Sequence, residues 1–218
     1  MTLTAPAPAL ASSSTPADAA PAGAAQSAAV APDPSWILAR IARPAPSSTP
    51  FVELRGSKLL KAPLRISGEY RHPDAGTLVR EVRAPYAETT TIRAGEATIE
   101  RPGKPARRVS LARFPELAGM QASFGALLAG DADALRRHYA VSSSGRRDAW
   151  RLVLAPRDAA VAKRVRAIVL RGRGAELRCI ETEPAGGGET QRTLLAGAAR
   201  AAAPATDAGA LAALCGGP

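Results

Sequence analysis

Residues Trp150–Leu195 read WRLVLAPRDAAVAKRVRAIVLRGRGAELRCIETEPAGGGETQRTLL. Four strand-like runs follow one another here: Trp150–Leu154, Val165–Leu170, Glu176–Glu183 and Thr190–Leu195. Turn signals separate them, at Pro156-Arg157-Asp158, Gly172-Arg173-Gly174 and Gly186-Gly187-Gly188. Short apolar-polar runs punctuated in this way predict an antiparallel meander. Such a sheet has one face to bury, and this one carries no evident chemistry of its own. What that face covers is the question the rest of the chain must answer.

Upstream, the same pattern recurs. Leu64, Ile66, Gly68 and Tyr70 alternate with Arg65, Ser67, Glu69 and Arg71, which is the period of a strand with one buried face. Phe51–Leu60 precedes it as a strand, and Ser47–Pro50 reads as a loop. After a turn at His72–Gly76 the chain returns along Thr77–Ala84, with Pro85 where a missing N–H does least harm. Glu88–Arg93, Glu96–Arg101 and Ala106–Ala112 continue the sheet, joined at Ala94-Gly95 and Pro102-Gly103.

Helices are few. Asp33 caps a first one carrying Trp36, Ile37 and Ile41, which stops before Pro44. Pro115–Leu128 carries a stripe of Leu117, Met120, Phe124, Leu127 and Leu128, and Gly130 ends it. Asp131 then caps Ala132–Arg137, and Ser142–Arg147 reads as a loop before the meander. One helix, about six strands, two helices and four strands is not βαβ alternation, and so fits a parallel nucleotide-binding sheet poorly. The expected architecture is mainly β with a few helices: an antiparallel, strongly curved, incomplete β-barrel covered by a helical lid.

The chain ends read differently. Residues 1–34 contain 13 Ala and 6 Pro, and residues 196–218 contain 11 Ala. We expect a disordered N-terminal segment at 1–34, one folded domain at 35–195 and a flexible C-terminal tail at 196–218. The two ends hold one Arg and three Asp, so the folded part carries a net charge of +12 against +10 for the whole chain. That charge reads either as a solvated arginine-rich face or as attraction to anionic surfaces. Nucleic acid fits poorly, because three Phe, three Tyr and two Trp are too few for a stacking platform. No apolar run is long enough to span a membrane. The first thirty residues have neither the basic nor the apolar region of a secretory signal. Cys179 and Cys215 are the only cysteines and read equally as a disulfide or as two free thiols.

Catalytic constellations are weak. His72 and His138 have no metal-ligand spacing, so we expect no metal and no cofactor. Ser142-Ser143-Ser144-Gly145 is not a nucleophile elbow, and the glycine turns do not precede helices. Glu181 and Glu183 share a strand face but show no apolar enclosure. A hydrolase acting on a lipid-like ester would have to draw its base from His72 or His138. We expect no enzyme.

The order of these elements resembles the LolA-type periplasmic lipoprotein carriers. Phe51-Val52-Glu53, Ile66-Ser67-Gly68-Glu69-Tyr70, the following turn with Leu78-Val79, and Pro85 after a strand are similar to that family's opening. Leu152–Arg157, Val165–Leu170, Gly174, Leu177 and Gln191-Arg192-Thr193 resemble its later hairpins. The resemblance covers roughly Trp36–Leu195. It implies a periplasmic carrier that binds the acyl chains of a lipoprotein, or a lipid-linked metabolite, in an apolar cavity and ferries it toward the outer membrane. It also implies an inner-membrane release complex and an outer-membrane acceptor as partners, and a monomer.

On this reading Leu64, Ile66, Tyr70, Leu78, Val82, Trp150, Leu152, Leu154, Ile168 and Leu170 line the cavity. Met120, Phe124, Leu127 and Leu128 form the lid's underside. The family's first turn carries Arg-Pro, where the arginine bonds to the lid. Here His72-Pro73 stands there, and Arg71, one position earlier, is the candidate latch. The alternative is a non-catalytic interaction module, its core filled by its own side chains, that docks an acidic partner through its arginines.

Overall fold

The computed structural model describes residues 1, 31–55, 64–111, 126–127, 129–202 and 207–216. Among these residues eleven strands form one antiparallel sheet in the order β6-β5-β4-β3-β2-β1-β11-β10-β9-β8-β7. They are β1 (Ser47–Arg55), β2 (Leu64–Asp74), β3 (Thr77–Ala84), β4 (Glu88–Arg93), β5 (Glu96–Arg101), β6 (Lys104–Ser110), β7 (Tyr139–Arg146), β8 (Ala149–Pro156), β9 (Val165–Arg173), β10 (Glu176–Pro184) and β11 (Gln191–Leu195). The chain walks outward from β1 to β6, crosses to β7 and walks back to β11. Pairing of β1 with β11 joins the two halves, for example at Phe51↔Leu195 and Glu53↔Thr193. β6 and β7 remain the two edges, so the curved sheet is not closed into a barrel. Lys104, Pro105, Arg107 and Arg108 blunt the β6 edge against pairing with another chain.

Among the described residues five helices flank the sheet: α1 (Pro34–Ile41), α2 (Ala132–His138), α3 (Ala159–Ala162), α4 (Ala196–Ala201) and α5 (Ala208–Gly216). Local chemistry starts four of them. Asp33, Asp131, Asp158 and Asp207 each turn a carboxylate onto free N–H groups of the first turn, at 2.7–3.1 Å. On the inner face α1 packs Ile37, Leu38 and Ile41 against Tyr139, Trp150, Leu152, Leu154 and Leu170, with Leu127 and Leu135 in the same cluster. A second inner cluster joins Phe51, Ile66, Val82 and Leu195. The outer face carries Val52, Cys179 and Leu194, which α4 and α5 cover with Ala198, Ala199, Ala202, Leu211 and Cys215.

Several sequence expectations are corrected. Ser142–Arg147 is no loop: it lies almost wholly in β7, paired with β8 from Tyr139↔Pro156 to Arg146↔Ala149. Its serines supply little β pattern, and the partner strand supplies the backbone hydrogen bonds instead. The loop at Ser47–Pro50 opens β1, and β2 runs on to Asp74, so the turn between β2 and β3 narrows to Ala75-Gly76. The helix α3 follows β8 without having been expected. The segment 196–218 is not a flexible tail where it is described, because α4 and α5 pack on the sheet. Alanine is small and a strong helix former, so an alanine-rich segment can lie close against a strand surface. A disulfide joins Cys179 to Cys215, with Cα atoms 5.4 Å apart. The N-terminal segment ends before residue 34, since Pro32 is buried and its carbonyl accepts from Ser143 Oγ at 2.7 Å. Most of the expected helix Pro115–Leu128 lies outside the described residues, as do 56–60 of the expected first strand.

Candidate functional site

Strand parity and register decide what faces inward. Ser47, Thr49, Phe51 and Glu53 of β1 stand opposite His72, Tyr70, Gly68 and Ile66 of β2. Alternate residues share a face, so these eight positions lie together on the inner face. Gly68 is needed there. A Cβ on it would run into the Glu81 carbonyl, at the point where β2 and β3 slip register. Phe51 stands opposite the glycine, and its ring meets Tyr70 at 4.7 Å between centroids.

Between the two inner clusters lies a cavity of about 70 Å³. Its apolar lining comes from Ile41 of α1, Leu78, Leu127, Leu177, Ile180 and Leu195. Its polar lining is Ser47, Thr49, Tyr70, His72, Arg43 and Glu176, together with Arg71. The volume holds a few water molecules and lies below the roughly 300–1,000 Å³ of small-molecule pockets. The Nδ1 of His72 is the one buried side-chain polar atom without a hydrogen-bond partner among the described residues. Arg43 reaches across, donating from Nη2 to the Ala175 carbonyl at 2.9 Å and from Nη1 to Ala42.

A charged network floors the β1–β3 side. Glu53 is 1 % exposed on an apolar face. It accepts from Arg80 Nη2 at 2.9 Å, from Arg55 Nε and from Gln191 Nε2. The Arg80 guanidinium also lies over the Phe51 ring, 4.9 Å from its centroid. Burial would lower the Arg80 pKa, but Tyr70 and Glu53 outweigh it and hold the group above its ordinary value. Burial pushes the Tyr70 hydroxyl up. A buried carboxylate with three donors is a satisfied group, and it keeps β1, β3 and β11 in register.

The sequence-predicted cavity residues all lie on the inner face, but few of them touch the cavity. Tyr70 and Leu78 line it, and Leu127 of the predicted lid covers it. Ile66, Val82, Trp150, Leu152, Leu154 and Leu170 are packed core, with Leu64 and Ile168 partly buried against them. Met120, Phe124 and Leu128 lie outside the described residues. Arg71, the expected latch, borders the cavity but pairs with Glu81 of β3 at 3.1 Å, and it is His72 that shares the strand face of Tyr70. Glu181 and Glu183 do not form an acid–base pair. Arg171 and Arg192 hold Glu181, and Arg166 holds Glu183.

Sequence reading missed Leu177 and Ile180 as partners. They are three apart, which strict alternation would send to opposite faces. A bulge between Leu177 and Cys179 inserts one residue and turns both inward. Glu53 was missed as well, because a glutamate flanked by Val52 and Leu54 reads as solvent-facing.

No helix among the described residues is long and apolar enough to cross a membrane. A family model described as outer membrane lipoprotein carrier protein LolA-like matches residues 24–218, which takes in α4 and α5. A solved LolA superfamily protein from Nitrosomonas europaea aligns with 74% of this chain and 90% of its own, at 12% identity and a TM-score of 0.38. A search of curated proteins returns no match.

Proposed function

The chain belongs to the LolA-like family of outer membrane lipoprotein carriers, and from that premise we propose that it binds the acyl chains of a lipoprotein or lipid and carries them toward the outer membrane. The observation that supports this most is the inner apolar face between a curved sheet and a helical cover, with a cavity at their junction. Acyl burial is favourable by about 0.8 kcal/mol per methylene. A chain of ordinary length needs more room than 70 Å³. It enters when Ile41 and Leu127 lift from Leu177 and Ile180, which extends the cavity between the two inner clusters. Among the described residues the cover's contacts there are apolar apart from the Arg43 hydrogen bond to Ala175, and no buried ion pair joins them. A carrier must also release its cargo, which favours a cover held only marginally.

Leu64, Ile66, Tyr70, Leu78, Val82, Trp150, Leu152, Leu154, Ile168 and Leu170 are the inner-face residues proposed to meet the cargo. Met120, Phe124, Leu127 and Leu128 are proposed as the cover's underside. The periplasm is the proposed location, and the Cys179–Cys215 disulfide suits an oxidising compartment. By family analogy a release complex on the inner membrane and an acceptor on the outer membrane are the proposed partners. No catalytic role is proposed.

The size of the cavity favours one competing reading, a self-filled core in a non-catalytic interaction module. Titration of delipidated protein with a fluorescent fatty acid and with a triacylated lipopeptide separates the two. Saturable binding is expected of a carrier. Flat titrations with both ligands would leave the interaction module standing.

A further inference from the structure

We propose that a cationic groove beside the cavity is the surface by which this protein docks on anionic lipid headgroups of a membrane. The groove holds about 490 Å³. Trp36 and Arg40 of α1 form one wall, Arg147 and Asp148 at the β7–β8 turn another, and Arg173 at the end of β9 a third. The Arg147 guanidinium lies 5.0 Å from the centre of the Trp36 ring and that of Arg40 lies 5.7 Å away. Asp148 is already paired with Arg146 at 2.6 Å. Among the described residues, Arg40, Arg147 and Arg173 have no carboxylate within ion-pair distance. Three guanidiniums without a direct ion pair, with only Arg173 feeling Asp148 at longer range, surround one partly buried indole and offer donors for anions beside an apolar ring.

That combination matches a phospholipid headgroup layer. Guanidinium forks bind phosphate oxygens in pairs, and tryptophan favours the boundary between polar headgroups and acyl chains. An acidic protein fits less well. A groove of 490 Å³ admits about one turn of a helix, too little to seat a structural element. The net charge of +10 steers the whole molecule toward an anionic surface.

Position gives the groove its use. Its wall α1 continues into Ile41, which lines the cavity, and Arg43 bonds to Ala175 on the groove's far rim. Docking by the groove therefore sets the cavity beside the bilayer. The choice of a bilayer rests partly on the carrier reading, because acyl cargo must pass between cavity and membrane. The groove's affinity for anions does not.

Cosedimentation tests it, with vesicles of phosphatidylcholine alone and of phosphatidylcholine with phosphatidylglycerol. The wild-type protein is expected to bind the mixed vesicles, weakly at high salt, and to leave the neutral ones. Each arginine removed should weaken partitioning about fivefold, and the Arg40→Gln/Arg147→Gln/Arg173→Gln variant on the order of a hundredfold. A control that removes the same charge from β6, Lys104→Gln/Arg107→Gln/Arg108→Gln, should keep most of the binding. Equal loss in both variants, full retention in the groove variant, or no binding of wild type to mixed vesicles would each overturn the proposal. Fluorescent fatty acid titration of the same variants reads the cavity separately. Vesicle binding without fatty acid binding would sustain the docking surface while removing the carrier.

Discussion

Trp150 shows how single residues set the inner face. It is 2 % exposed and pairs with Gly145 on one side and Gly172 on the other. The indole lies over Gly172, where a Cβ would collide with the ring and with the Glu176 carbonyl. Its Nε1 donates to the Gly174 carbonyl at 3.1 Å, so the buried polar handle is satisfied. Gly172→Ala must displace ring or backbone and is expected to cost about 2–3 kcal/mol. A thermal melt beside wild type measures it, and an unchanged midpoint would show that the ring is not held there. On the outer face Glu181 is nearly buried between Arg171 and Arg192, at 2.9 and 2.8 Å. Burial alone would raise its pKa, but the hydrogen bonds from both arginines more than offset that and leave it below the ordinary value. A depressed folded-state pKa contributes stability above the unfolded value, about 4.3, and loses it as pH falls through the folded value. Stability should therefore drop on acidification below about pH 4–5. Glu181→Gln is expected to cost about 1–2 kcal/mol at neutral pH and to flatten that acid slope in urea melts run across pH.

At the scale of elements, the C-terminal helices are the clearest case of tertiary rescue. The helix α5 has little amphipathic pattern, yet Leu211 and Cys215 are buried against Val52, Cys179 and Leu194. The disulfide closes a separation of 36 residues, which constrains the unfolded chain by about 3–4 kcal/mol in the loop-entropy account. Arg178 adds hydrogen bonds from Nε and Nη2 to the Leu214 carbonyl, which suits the last turn of a helix. Cys215→Ser, or reduction of wild type, should lower stability by about 2–4 kcal/mol and free α5 first. Hydrogen exchange read along the chain checks this: protection should fall in 208–216 before it falls in β8 and β9. Uniform loss across the sheet would mean that α5 is integral to the core rather than clamped onto it.

For the whole molecule, the sheet's two halves meet at β1 and β11, and the cavity sits over that seam. The cover is α1 with Leu127, and the floor is Leu177, Ile180 and Leu195. Filling the seam should block cargo without breaking the fold. Ile180→Trp is half-buried at a site with free volume, so a stability change of only about 1–2 kcal/mol is expected. Fatty acid binding should fall at least tenfold in the same titration. Unaltered binding would place the acyl chain elsewhere on the inner face. Groove and cavity share α1, so a change in membrane docking on cargo binding would be read in the same helix.

Much of this molecule is legible in its residues because hydrophobic alternation is a local property. The strands from β2 to β5 and from β8 to β11, the caps at Asp33 and Asp131, and the inner-face parity of Trp150, Leu152 and Leu154 all follow from period and turn chemistry. Other features depend on partners distant in sequence. Ser142–Arg146 becomes β7 only because β8 offers hydrogen bonds. The bulge after Leu177 turns it inward with Ile180, and no local signal marks the extra residue. Glu53 is buried because Arg80 and Gln191 arrive from other strands, and the alanine-rich helices α4 and α5 pack where an outer sheet face needs covering. Residue order sets which side of a strand is apolar. Only the tertiary structure decides which strand meets which, and so which of those apolar residues fill a core and which surround a space.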